Sequence, residues 1–399
     1  MKITAGLGSI DDYPRYVRAG ADELFCGYVP FSWSEKYGTV LPLNRREVLN
    51  YNVQIGSFSE LEILANMVQK YQKPVHLTFN SLYYRPEQYE EIARIIQQCR
   101  SIGFESYILA DPALLVYLRK EKIDCEVHLS GDLGTVNSAM TEVFAKEYPK
   151  RIIFQRKNTI SEMRAVIRHI TAQKEAARKE WTYPTEFEAF ALNELCQFSG
   201  AFCNSLHCDE MGYLCRVPYW RKPVSCANRC FSENFLEKDI APDKRVSVPK
   251  EDSVLKNDPE LERDLALEND VASEKTDPIS EDGYLCGATG CGLCTLKQLS
   301  DAGITHLKLV GRGNYTDFME RDIRNLRRTL EILEDSSTEE EYIRAMKAEL
   351  FPNGCSHMCY ARSNMSTLSE VMHLGLTYFR ITYNIMLKTG NLSVCQAVK

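Results

Sequence analysis

The chain has 399 residues, 44% of them hydrophobic and 26% charged, enough for one large domain or two ordinary ones. A net charge of −7 argues against broad nonspecific nucleic-acid binding, though it leaves room for a local basic groove. No run of about 18 apolar residues is present and the N-terminal MKITAGLGSIDDYPRY has no apolar signal core, so no membrane span and a cytoplasmic location are expected.

Taken in order, the chain alternates short apolar runs with helical patterns. Lys2–Ala5 and Asp22–Cys26 read as strands, with a helix over Tyr13–Gly20 between them. Leu61, Leu64, Ala65 and Val68 mark a helix over Glu60–Tyr71, and Pro74 introduces the strand VHLTFN. A helix over Pro86–Ile102 follows, with Ile92, Ile95, Ile96 and Cys99 on one face. Glu105–Ala110, Glu126–Ser130, Arg151–Phe154, Glu186–Ala191 and Thr305–Val310 complete a set of eight strands. That alternation predicts an α/β fold, a (β/α)8 TIM-like barrel. An open doubly wound sheet is the alternative, but no GxGxxG follows an early strand.

A cysteine-rich loop region, residues 188–294, separates the seventh predicted strand from the eighth. The stretch from Glu188 to Arg312 holds nine of the fifteen cysteines. In a reducing compartment such a concentration reads first as a soft-metal site rather than a disulfide framework. Only Cys291 and Cys294 form a CxxC, so the layout fits a cluster assembled from separate loops better than paired zinc knuckles. Cys286 and Cys291, with Cys355, Cys359 and His357, form a possible second soft-metal site; buried structural thiols are the alternative. Residues 233–283 interrupt the region with a polar, charged insert that has no aromatic residue between Phe235 and Tyr284. The expected organisation is therefore a barrel over 1–312 and a helical C-terminal extension over 313–399.

In a barrel, chemistry gathers where strands end. Asn80, Ser130, Asp132, Asn137, Arg156 and Arg312 stand there and are the candidate substrate-binding residues. Arg156 and Arg312 are the best candidates for gripping a carboxylate. Tyr28, Phe31, Trp33 and Tyr37 either wall an aromatic pocket or pack over the mouth. His76 and His128 lie within strand patterns and read as core. Neither a G-x-S-x-G elbow nor an H-E-x-x-H motif is present.

Several motifs carry a family resemblance. They are E-x-F at Glu188 and Phe190, Cys196 with Cys203 seven residues on, the C-x3-C of Cys226 and Cys230, and C-T-L…AG-x-x-x-x-K-x-x-G-R over Cys294–Arg312. AGADELFCG over Ala19–Gly27, VHLTFNSL over Val75–Leu82, and HLS followed by Asn137 agree with them. Together they resemble the collagenase-like proteins of peptidase family U32. The resemblance implies a barrel carrying a [4Fe–4S] cluster on Cys196, Cys203, Cys226 and Cys294; spacing alone leaves Cys230, one helical turn from Cys226, as an alternative ligand. It also implies either a peptidase or an oxygen-independent hydroxylase acting on ubiquinone precursors or on a pyrimidine of tRNA or ribosomal RNA. Prephenate is implied as oxygen donor in the RNA-modifying members, and a partner subunit of the same family in the ubiquinone type. The chain departs from the pattern at Leu192-Asn193, Ala201-Phe202 and Val310, and its Cys203–Cys226 linker carries two extra thiols, Cys208 and Cys215. Fold and cluster therefore transfer better than substrate. A small-molecule carboxylate or an RNA is the expected substrate class.

Overall fold

The structure is a computed structural model and describes residues 1–38, 41–45, 53–176, 186–196, 282–356 and 358–360. All of these belong to one compact unit, Met1–Tyr213 with Pro278–Lys399; the second unit, Leu214–Asp277, lies outside the described residues. So does nearly all of the insert predicted over 233–283.

Eight parallel strands close into a barrel. In chain order they are β1 (Lys2–Gly6), β2 (Glu23–Tyr28), β4 (Val75–Phe79), β5 (Ser106–Leu109), β6 (Glu126–Leu129), β7 (Arg151–Ile153), β8 (Glu186–Leu192) and β9 (His306–Leu309). A two-residue strand, β3 (Gln54–Ile55), pairs with the end of β2 outside the ring. Closure is direct, because β1 pairs with both β2 and β9. The predicted eight strands are thus the eight staves, and the open-sheet alternative falls.

Helices follow the strands: α1 (Tyr13–Ala19), α2 (Phe31–Tyr37), α3 (Phe58–Tyr71), α4 (Pro86–Ser101), α5 (Pro112–Lys120), α6 (Ser138–Ala145), α7 (Ile160–Ala176), α8 (Leu296–Ala302), α9 (Thr316–Asp335) and α10 (Glu339–Leu350). Local chemistry sets their starts. Ser57 and Glu60 form a capping box on α3, while Pro86 and Pro112 open α4 and α5. Helix α9 packs against α1 and β1, which places it in the outer ring. A boundary drawn at 312 therefore separates β9 from its own helix.

Strand alternation sorts the side chains into two cores. One parity, including Ile3, Leu24, Leu77, Leu109, Val127, Ile152, Ala189 and Leu307, packs outward among the helix faces. The other parity points into the barrel and is layered. At the strand starts stand Glu23, His76, Ser106, His128, Arg151, Glu188 and His306, all buried. The next layer is a small separate apolar cluster of Phe25, Ile108, Ile153 and Val310, with Phe190 packed on it. Polar residues return beyond that layer, at the mouth.

Candidate functional site

The mouth is built from strand ends. Phe25, Arg45, Thr78, Asn80, Ile108, Ser130, Gly131, Asp132, Ile153, Arg156, Phe190, Glu194, Lys308, Val310, Gly311 and Arg312 line one cavity of about 80 Å³. Through Arg156 and Phe190 it adjoins a larger cavity of about 420 Å³, walled by the β7–α7 loop, α8 and Tyr360. Four cationic side chains at the mouth face two carboxylates, Asp132 and Glu194. In a partly enclosed site this imbalance favours an anion.

Each cation is held by a specific contact. The Arg156 guanidinium carbon lies 4.1 Å from the centre of the Phe190 ring, a cation–π contact. Arg312 Nη1 donates to Thr78 Oγ1 at 3.2 Å and to Gln54 Oε1 at 3.4 Å. Arg45 Nε stands 3.5 Å from Asp132 Oδ2, and the Arg45 backbone N–H donates to Asn80 Oδ1 at 3.3 Å. Lys308 Nζ lies 3.6 Å from the Phe25 ring centre and donates to Glu188 Oε1 at 2.9 Å. Burial lowers the Lys308 pKa although Glu188 opposes the shift.

Gly27 makes room for this arrangement. A Cβ built there would stand 1.5 Å from Gln54 Oε1 and 2.9 Å from Arg312 Nη1. The missing side chain lets the Arg312–Gln54 pair cross the end of β2.

Beneath the apolar layer, Arg151 fixes the barrel floor. Its guanidinium donates to Glu23 and Glu186 at 2.7 Å and to Glu188 at 2.8 Å. His76 Nε2 lies 2.9 Å and His306 Nε2 3.2 Å from the Glu23 carboxylate. Burial pushes the Glu188 carboxyl up, but Lys308 and Arg151 outweigh it and hold it at about 2. Glu23 is likewise held far below the usual range: hydrogen bonds from His306 and His76 and the charge of Arg151 overcome its desolvation. Burial lowers His76, and burial with the charges of His76 and Arg151 lowers His128 further. These groups brace strands and lie below the mouth.

Of the residues singled out by sequence, Asn80, Ser130, Asp132, Arg156 and Arg312 meet in the mouth cavity. Asn137 is elsewhere: its Oδ1 accepts from Met140 N at 2.9 Å and caps α6. Trp33 is fully buried and donates to Leu41 O, Tyr37 packs 4.5 Å from it, and Phe31 is exposed; none lines the cavity. Arg45, Thr78, Glu194 and Lys308 were not anticipated. Strand parity alone would have found Lys308, which shares its face with His306 and Val310. Arg45 sits in a segment without periodicity and gave no such signal.

Beside the mouth, β8 runs into the cysteine region. A register shift lies between Phe190 and Leu192, beyond which Leu192 still pairs with Leu309 at the end of β9. Asn193 (φ 67°) and Glu194 (φ 53°) then turn in the left-handed region. Asn193 Nδ2 donates to Asp322 Oδ2 at 2.8 Å, tying the turn to α9. The backbone N–H groups of Asn193 and Leu195 donate to Gly290 O and Thr289 O at 2.8 and 2.7 Å. Cys196 follows directly on this pairing to the Thr289–Gly290 turn. Cys203, Cys226 and Cys230 lie outside the described residues.

Cys291, Cys294, Cys355 and Cys359 line one cavity of about 230 Å³, and Cys196 and Cys286 are not in its wall. Among the described residues, no three cysteine, histidine or carboxylate groups already converge on a metal-binding geometry. Cys26 and Cys99 are buried core thiols, pushed up to about 12 by desolvation. No helix among the described residues is long and apolar enough to cross a membrane.

No curated protein matches the chain. Among solved structures it is similar to the U32 peptidase Mk0906 (12% identity, 48% of this chain and 68% of that chain, TM-score 0.34). It is also similar to a putative phosphonomutase from Burkholderia cenocepacia J2315 (13%, 48% and 78%, TM-score 0.29) and to 2,3-dimethylmalate lyase (13%, 49% and 67%, TM-score 0.28). At such identities and TM-scores these likenesses carry no argument of their own. The model of peptidase family U32, by contrast, matches residues 8–370, nearly the whole chain from the first βα turn past the last described residue, and the chain belongs to that family.

Proposed function

We propose that this U32 protein is an iron–sulfur enzyme of oxygen-independent hydroxylation, whose barrel mouth binds a small carboxylate that supplies oxygen. Prephenate is the candidate donor, carried from the family resemblance. The observation that carries the reading is the cationic mouth: Arg45, Arg156, Lys308 and Arg312 converge where barrel enzymes bind substrate. Arg156 and Arg312 approach from β7 and β9, so a carboxylate between them meets planar donors from two directions.

The cluster would rest on Cys196, Cys203, Cys226 and Cys294, with Cys230 as the alternative ligand. In favour of this set, Cys196 follows β8, Cys294 precedes α8, and hydrogen bonds from Asn193 and Leu195 to Gly290 and Thr289 join the chain between them. Soft thiolate donors suit such a cluster, which when bound supplies one-electron transfer. The chain's own residues bind and orient. Phe190 packs against the Arg156 guanidinium, Thr78 and Gln54 aim Arg312, and the layer of Phe25, Ile108, Ile153 and Val310 separates the substrate from the charged floor. An RNA or a ubiquinone precursor as acceptor and a partner subunit of the same family belong to this same reading. The peptidase alternative rests on the family name; Ser130 Oγ, the hydroxyl nearest that role, accepts from Asp132 N at 3.2 Å as a turn cap.

Anaerobic preparation followed by iron and acid-labile sulfide assays tests the cluster, and calorimetry with prephenate tests the mouth. Iron without sulfide, or no carboxylate binding to cluster-loaded protein, removes the reading.

A further inference from the structure

We propose that Cys291, Cys294, Cys355 and Cys359 form a zinc knuckle that fastens the chain after α10 to the barrel beside the candidate site. It is independent of the cluster reading except at one residue. Sequence shows Cys291-x2-Cys294 as a single CxxC, and zinc sites with four thiolate ligands are made of two such turns. The structure supplies the second. Cys355-x3-Cys359, far away in sequence, is folded against the first, and all four residues line one cavity.

The backbone fixes this pairing. Cys291 N donates to Met358 O at 2.8 Å and Tyr360 N donates to Cys291 O at 2.9 Å, a parallel bridge between Cys291 and Cys359. Leu192 bridges Cys291 from the other side, so the end of β8 and both turns share one hydrogen-bonded strip. Ser356 Oγ donates to Gly287 O at 2.8 Å and holds the second turn down. Ile343, Lys347 and Phe351 of α10 and the turn after it also line the wall. A tetrathiolate zinc carries two negative charges, and the Lys347 ammonium in the same wall offsets part of them. The sulfurs share the cavity without yet converging on one point. Binding would have to draw the four sulfurs together onto the ion at about 2.3 Å.

Zinc is favoured over a cluster because two facing CxxC-type turns match its donor spacing. The assignment takes Cys294 out of the cluster set and gives the fourth place there to Cys230. It also gives the knuckle a purpose. Tyr360, one residue past Cys359, hydrogen-bonds through its hydroxyl to Asn193 O and lines the 420 Å³ cavity beside Arg156. The metal would thus set the wall of the cavity that adjoins the mouth.

The full-length protein is prepared anaerobically, then exposed to air, with zinc, iron and sulfide measured at each stage. Expected is stoichiometric zinc that survives air, whether or not an iron cluster is present and bleaches. Cys355→Ser, Cys359→Ser and Cys294→Ser should each lose the zinc and keep any iron, while Cys196→Ser should keep the zinc. Cobalt(II) alone, added to chelator-stripped protein, should give the spectrum of a tetrahedral tetrathiolate. If a variant fails to fold, alkylation of the wild type read by mass spectrometry replaces it: the four cysteines should be protected with zinc and labelled after chelation. Wild type without zinc or a tetrahedral cobalt spectrum overturns the proposal, as does zinc retained by both folded Cys355 and Cys359 variants. Loss of iron and sulfide from those two variants also overturns it, because the four would then hold a cluster. Zinc present with no sulfide anywhere upholds the knuckle while removing the cluster reading.

Discussion

At the scale of single residues, the mouth depends on how its guanidinium groups are aimed. Arg312 is oriented by Thr78 and Gln54, and Arg156 by the Phe190 face. Lysine at either position keeps the charge and loses the planar fork, so Arg312→Lys and Arg156→Lys should each weaken carboxylate binding roughly tenfold by calorimetry. Equal affinity in both variants would show that the mouth binds by charge alone, or not at all. Gly27→Ala probes the same aim without touching a charge. The new Cβ collides only with the far ends of Gln54 and Arg312, which are flexible and can swing away. Thermal stability should therefore change by less than about 1 kcal/mol while carboxylate binding falls about as far as in Arg312→Lys. A large loss of stability with binding intact would mean that the crossing of β2 is structural.

At the scale of elements, strands are joined through the floor as well as through their ladders. Arg151 on β7 pairs at once with Glu23 of β2 and with Glu186 and Glu188 of β8. Removing it leaves buried carboxylates without their cation, a loss of about 3–5 kcal/mol. Arg151→Met should fall in urea stability by about that much and should regain part of it when Glu188→Gln is added. Additive losses in the double variant would refute the coupling. The strands that carry these groups were legible because their outward faces, such as Leu24, Cys26, Leu77 and Phe79, alternate with inward residues. β3 was not legible, since two residues show no period. Arg45 was missed because its segment is neither strand nor helix, and Asn137 looked like a binding residue because a helix cap and a ligand use the same side chain. The Cys355–Cys359 turn could not be matched to Cys291–Cys294 from spacing, because only the fold brings the two together.

At the scale of the whole molecule, a barrel filled with ionisable groups should carry its own pH dependence. Glu188 sits at about 2 in the fold against an ordinary 4.5. A carboxyl with a depressed folded pKa contributes stability that is present above 4.5 and lost as pH falls from there toward 2. The shift corresponds to about 3 kcal/mol, an order-of-magnitude figure for a fully buried group. Glu23, also depressed, adds a loss of the same sign. The histidines act earlier. His76 and His128 are buried with pKa values below 6.5, so the unfolded chain takes up protons first as pH drops through 6.5. Proton uptake by the unfolded state lowers stability, which is again the same sign. These groups alone would make the urea midpoint decline in two stages, one beginning below about pH 6.5 and a steeper one below about 4.5, while Asp111 and Asp322, pushed up to about 6 by burial, add stability on acidification and oppose the first stage. Replacing His128 by Asn should flatten part of the first stage and leave the second; Glu188→Gln should flatten part of the second and leave the first. A slope between pH 7 and 5 that is the same in wild type and the His128 variant would show that the histidine does not contribute, and a slope below pH 4.5 that Glu188→Gln leaves unchanged would contradict the part assigned to Glu188.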